Sequence, residues 1–379
     1  MGMHTARAGF VRVGVVVLAC TAGCGDSTSS TSDPVVVETP SPTETSTGTP
    51  TSTPTPVRSP SLIEEGERLF FQEGFEGNGR TCGTCHPAAA AFTLSPAFIA
   101  SLPADDPLFV AERVPELAGL ESPALMHGPR ALILENVDGF DQPPVFRGVP
   151  HVFDLAQTAP FGWSASLSTL EEFATRAVMQ HFPRSLRRVA GVDFRLPTPH
   201  ELAALAAFMQ SVTLPTTESF DLSTLVSTPA EARGLELFFG NGKCTFCHSG
   251  PLFTDGGTID TGVTRRPVNL VPPPECDPPC PPIGMLEAGA TRAFNVPTLL
   301  GVADTAPFFH DNSAATLRDA VAHYTSAAFN GSFGGAFTGG IALSDDDVDA
   351  ITAFLQLLRV CGPGPTARDV GCEGVDGGP

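Results

Sequence analysis

With 379 residues, the chain has material for two or three domains once tails are set aside. Its 41 acidic against 21 basic side chains leave a formal charge of −20. That excludes nucleic acid as a partner, because such affinity rests on Lys and Arg neutralising phosphates. An acidic surface suits a cationic protein partner instead.

In chain order, His4, Arg7 and Arg12 precede an apolar run from Val13 to Ala19, too short to span a bilayer as a mature helix. Residues 1–24 therefore read as a cleaved export signal. Cys20 follows Ala19 and Cys24 follows Gly23, so either could carry lipid after cleavage, although Leu18 before the first and Thr21 before the second make neither a close fit. Ordinary cleavage near Ala22 is the other reading. Residues 25–60 are almost wholly Ser, Thr, Pro, Gly and acidic, which buries too little apolar surface to offset chain entropy. They predict a disordered tether, and behind a lipidated cysteine such a tether would hold a globular part off a membrane.

The rest of the chain repeats itself. Val149 to Leu170 aligns without a gap on Val296 to Leu317, at an offset of 147 residues, sharing Val-Pro, Thr-Ala-Pro-Phe and Thr-Leu. Upstream, EGERLF and RGLELF are matching apolar-periodic helices; downstream, Pro199 to Val212 and Asp345 to Leu358 are matching closing helices, with Thr198 and Ser344 as N-caps. The expected fold is mostly α, with two tandem domains at 61–225 and 226–361 and a tail at 362–379. The 38 Gly and 37 Pro predict long loops rather than an extensive sheet.

Each half carries a complete Cys-x-x-Cys-His motif: Cys82, Cys85 and His86, then Cys244, Cys247 and His248. Two thiols one helical turn apart can form thioethers with haem vinyls while the next His meets the iron. A zinc site needs further ligands nearby and a redox dithiol needs a βαβ setting, and neither pattern is present. Two covalently bound haem c groups follow, ligated by His86 and His248. Cys276, Cys280, Cys361 and Cys372 are free to form disulfides in an oxidising compartment, and their pairing stays open.

The stretch FNVPTLLGVADTAPFFHDNSAATLRDAVAHY resembles the second-domain signature of the bacterial di-haem cytochrome c peroxidase and MauG family, and Trp163 stands where the first domain of that family has its tryptophan. The resemblance spans about 61–361. It implies a periplasmic two-domain enzyme that reduces hydrogen peroxide with electrons from a small donor protein such as a cytochrome c. Electrons would enter at the C-terminal haem and peroxide would be cleaved at the N-terminal one. A MauG-like oxidase of a partner protein, or a non-catalytic electron carrier, are the alternatives.

The residues opposite each iron decide among these. Leu317, Ala320, Val321 and Tyr324 share one helical face, with His323 turned away, so Tyr324 faces inward. The family holds an axial Met or Tyr at this position, and Tyr324 would lower the potential of the second haem relative to Met. Met285 and His323 are the fallback ligands, and a core Tyr with a bonded hydroxyl is the plainer reading. In the first half, Leu170, Phe173, Ala174, Ala177, Val178 and His181 share a face, which turns His181 toward the haem. It lies near the family's catalytic Glu, for which no counterpart is found, and could move a proton between peroxide oxygens or ligate the iron. His127 and His151 are further distal candidates. Trp163 mirrors His310 across the repeat and is the candidate inter-haem relay, while His310 and Asp311 are assigned to structure around the second haem. The family's Ca²⁺ site is matched by Thr305 and Pro307, but Gly148 replaces its Asn, which argues against the ion.

Overall fold

The computed structural model describes residues 61–136, 139–140, 145–216, 221–263 and 292–360. Cys20, Cys24, the 25–60 tether, Cys276, Cys280, Met285, Cys361 and Cys372 lie outside them. Among the described residues no helix is long and apolar enough to cross a membrane.

Each principal helix starts where a hydroxyl side chain takes up its first free N–H groups. These helices are α1 (Leu62–Gln72), α2 (Leu170–His181), α3 (Pro199–Ser211), α4 (Pro229–Phe239), α5 (Leu317–His323) and α6 (Asp345–Leu355). Their caps are Ser61, Thr169, Thr198, Thr228, Thr316 and Ser344, and all but Thr169 complete a reciprocal box with the acidic residue three places on. Each cap contributes about 1 kcal/mol. Two short antiparallel ladders complete the halves: β1 (Ile133–Glu135) on β2 (Val145–Arg147), and β3 (Thr258–Ile259) on β4 (Phe294–Asn295).

The repeat read in the sequence is a repeat in space. The peptide bonds Ala159–Pro160 and Ala306–Pro307 are both cis. The bridge Phe161–Leu167 recurs as Phe308–Ala314, at the same offset of 147. Helix α1 packs on α3 as α4 packs on α6. In each pair a glycine, Gly66 or Gly234, lies against the backbone of its partner at Ala204 or Ala350, with no room for a Cβ. The Leu and Phe that follow at i+3 and i+4 are buried in both α1 and α4, and the rings pair as Phe70–Phe208 at 5.1 Å and Phe238–Phe354 at 5.4 Å.

The halves share a core. One apolar cluster runs from Leu69, Phe70 and Phe208 in the first half to Phe238, Phe354 and Val360 in the second. Gly301, at a φ of 77°, lets Val360, Leu214 and Phe153 close over the seam. Gly66→Ala and Gly234→Ala are each expected to destabilise the protein by about 1–3 kcal/mol, as overpacking does. Denaturant melts would read this, and a variant that melts like the parent would show that the crossing tolerates wider spacing.

Candidate functional site

Both Cys-x-x-Cys-His motifs open on one cavity of about 440 Å³. Its walls come from both halves and include Cys82, Cys85, His86, Cys244, Cys247 and His248. Cys82–Cys85 forms one α-turn and Cys244–Phe246 one 3-10 turn, and each closes with the histidine N–H donating to the carbonyl of the first cysteine, at 3.0 Å for His86 and 2.9 Å for His248. The imidazoles are then oriented alike. Nδ1 of His86 bonds the Phe92 carbonyl at 2.9 Å, and Nδ1 of His248 bonds the Phe253 carbonyl at 2.9 Å. Phe92 and Phe253 both hold a positive φ, 58° and 53°, that non-glycine residues seldom adopt, and so present those carbonyls. With Nδ1 engaged as donor, each Nε2 keeps its lone pair for a metal.

Electrostatics agree with this geometry. Burial lowers His86 to about 4, with the nearby His181 adding to the effect, and burial also lowers His248, so both rings stay neutral. Burial pushes the thiols up, to about 12 for Cys82 and Cys244 and about 11 for Cys85 and Cys247. A reactive dithiol needs the opposite shift. All four thiols are free, and among the described residues no cluster of three His, Cys, Asp or Glu could hold a metal ion. Paired thiols, a ready imidazole and apolar walls, twice in one cavity, fit two haems rather than zinc or a redox dithiol.

Tyr324 lines the cavity with Leu317, Ala320 and Val321, the face expected of α5. Burial raises its hydroxyl above the ordinary value, with the Cys247 and Cys244 thiols as further contributors. Nothing among the described residues hydrogen-bonds that hydroxyl, unlike the core tyrosine of the plainer reading. His323 points elsewhere and bonds the Thr261 carbonyl at 2.9 Å. Leu170, Phe173, Ala174, Ala177 and His181 of α2 line the first half of the cavity. His151 also lines it, lowered to about 4 by burial and by His86. His127 does not: it stacks on Phe109 at 4.8 Å and bonds Glu112 at 2.8 Å.

Trp163 sits where the halves meet. Its indole Nε1–H donates to the Gly148 carbonyl at 2.8 Å, and its own carbonyl accepts from Asn295 N–H at 2.8 Å. Its ring stands edge-on to His310 at 6.4 Å, and His310 stacks flat on Phe294 at 3.5 Å. Gly148 N–H donates in turn to the His310 carbonyl at 2.9 Å. A side chain at 148 would collide with the Asn312 amide, which is fixed by the Arg130 carbonyl at 2.6 Å. The place of the missing Asn is thus filled by the Asn312 side chain.

Sequence reasoning missed Glu121 and Gln180. Glu121 is fully buried and pairs with the equally buried Arg80 at 2.8 Å, and its Oε1 lies 3.8 Å from Nδ1 of His181. Burial alone would raise its pKa, but Arg80 and His181 hold it below the usual range. A single Glu in a loop carries no periodic signal.

No family model matches the chain. Cytochrome-c peroxidase IdrP2 of Denitromonas iodatirespirans is 24% identical over 341 residues, which cover 78% of this chain and 81% of the relative. Cytochrome c551 peroxidase of Nitrosomonas europaea is 28% identical over 217 residues, covering 54% of this chain and 58% of the relative. In fold, a MauG-like protein associated with microbial copper homeostasis superposes with a TM-score of 0.51 at 19% identity, over 80% of this chain and 91% of that one. In sequence the likeness is to cytochrome c peroxidases, and in fold to a MauG-like protein. If both motifs hold haem, Cys82→Ala with Cys85→Ala should reduce covalently held haem from two per chain to one, read by pyridine haemochrome absorbance. The Cys244→Ala, Cys247→Ala chain should do the same, and two haems remaining in either would take that motif out of the site.

Proposed function

We propose that this protein is an exported di-haem peroxidase that reduces hydrogen peroxide with electrons from a small donor protein such as a cytochrome c. The supporting observation is the single cavity that carries both Cys-x-x-Cys-His histidines, with different residues, His181 and Tyr324, facing its two ends and Trp163 at the seam. The names of the two curated relatives point the same way. In this reading two tandem cytochrome c-like domains, 61–225 and 226–361, would each hold one covalent haem c through the motif cysteines, with His86 and His248 as the iron ligands. The protein works in the periplasm, tethered by lipid on Cys20 or Cys24.

The haems would supply the one-electron chemistry and the place where peroxide binds. The protein's own residues do the rest. The donor delivers two electrons at the C-terminal half, Trp163 offers an aromatic step between the halves, and peroxide is cleaved in the N-terminal half. His181 takes a proton from one peroxide oxygen and returns it to the other, so that the O–O bond breaks and, with two electrons and two protons consumed, two waters leave. Leu170, Phe173 and Ala174 keep bulk water from that exchange. The haem-loaded protein, reduced and supplied with a donor cytochrome, should consume peroxide, and His181→Ala should slow it by about 10²–10⁴-fold. No consumption by the parent would overturn the reading.

Tyr324 favours a second reading, a MauG-like peroxide-dependent oxidase of a partner protein. As a ligand to a haem held by the second motif, the Tyr324 phenol would lower that haem's potential and would suit stored oxidising equivalents better than a thioether. Tyr324→Phe should then change the absorption and paramagnetic resonance of the second haem. Unaltered spectra would remove the basis for this alternative.

A further inference from the structure

Two polar groups beside His181 constrain which of its ring nitrogens carries the proton. The Gln180 amide is oriented by backbone on both sides: its Oε1 accepts from Asn136 N–H at 3.1 Å, and its Nε2 donates to the Leu134 carbonyl at 2.6 Å. The amide nitrogen has only protons to offer. It stands 3.2 Å from Nε2 of His181, which must therefore be the acceptor in this contact and carry the lone pair. In a neutral imidazole the proton is then on Nδ1. That nitrogen is buried, has no hydrogen bond, and faces Oε1 of Glu121 at 3.8 Å.

Glu121 is itself fixed. Arg80 bonds its Oε1 at 2.8 Å and the Leu134 N–H bonds its Oε2 at 2.7 Å. Arg80 is anchored in turn on the carbonyls of Leu108 at 2.6 Å and Pro107 at 3.3 Å. A buried pair tied down at both ends is a rigid post for a third group, and a carboxylate opposite an imidazole N–H both orients the ring and stabilises it once it takes a second proton.

We infer that Glu121 and Gln180 are positioning residues that hold His181 as its Nδ1–H tautomer, which leaves the lone pair on Nε2 as the acceptor for the peroxide proton. The inference rests on the role proposed for His181. A peroxide O–H replaces the Gln180 amide at Nε2, and the imidazolium so formed is balanced by Glu121 until the proton moves on. The element that supplies Glu121 precedes α2 by a long stretch of chain, so the acid near the first haem comes from the loop after the first motif, not from the helix that carries His181.

Two measurements test this on the haem-loaded protein. In the reduced protein saturated with carbon monoxide, ¹⁵N-labelled histidine should show His181 protonated at Nδ1, its signal assigned by loss in His181→Asn. Gln180→Met and Glu121→Gln should each shift it to mixed tautomers. Protonation at Nε2 in the parent overturns the inference whatever the turnover shows. The second measurement is a cycle on kcat/KM for peroxide. Glu121→Gln and Gln180→Met should each lose about 10–100-fold, as removal of partners behind a working group does, with the KM for the donor unchanged. Glu121→Asp should recover most of the loss, and neither Glu121→Gln nor Gln180→Met should lower the rate further on His181→Ala. Equal losses with and without His181 would mean a structural role and sink the inference. If Glu121→Gln leaves Arg80 unbalanced and fails to fold, Gln180→Met, which leaves the Arg80–Glu121 pair intact, decides alone. A parent that turns over no peroxide but shows the Nδ1–H tautomer and its loss in the variants would remove the proposed activity and leave the positioning in place.

Discussion

The rest of the structure depends on a close approach of helix backbones at two glycines. Where Gly66 meets Ala204 and Gly234 meets Ala350, main chains touch without side chains between them. Each crossing brings one Phe of its pair, Phe70 or Phe238, to the wall of the cavity, and the helix that carries it leads in the chain to a Cys-x-x-Cys-His turn. A core built around a cofactor-sized space cannot be held by side chains filling its middle, so rigidity has to come from the walls. The two crossings provide it, and the two carbonyls presented by Phe92 and Phe253 pass it to the histidines.

On that repeated frame the halves differ where chemistry would be divided. The helix above the first motif ends in His181, backed by Glu121 and Arg80, a polar set able to move a proton. The helix above the second ends at His323 and is capped by Tyr324, which packs against Phe309 and Phe329 and whose hydroxyl is pushed toward its neutral form by burial. At the seam, Trp163 in the first half and its counterpart His310 in the second do not remain equivalent positions in separate repeats; they meet edge to face. Duplication supplied two partners for a contact that neither half contains alone.

Much of this was legible in the residues. The starts of the two closing helices followed from Thr198 and Ser344, each with an acid three places on, and the order of elements repeated in each half located both motifs, both closing helices and both inward faces. Those signals are local: capping and periodicity act within four residues. The missing side chain at Gly148 was legible for the same reason, although the Asn312 amide that fills its place was not.

The sequence by itself determined the repeat, the two haem-binding motifs and the faces on which His181 and Tyr324 lie, because each depends on spacing along one stretch of chain. Only the tertiary structure decided that both motifs open on one cavity, that His127 turns away from it, and that Glu121 stands behind His181. Those facts depend on loops of no periodicity meeting across the fold, where burial and charge balance, here the need of a buried Glu121 for a buried Arg80, choose the neighbour.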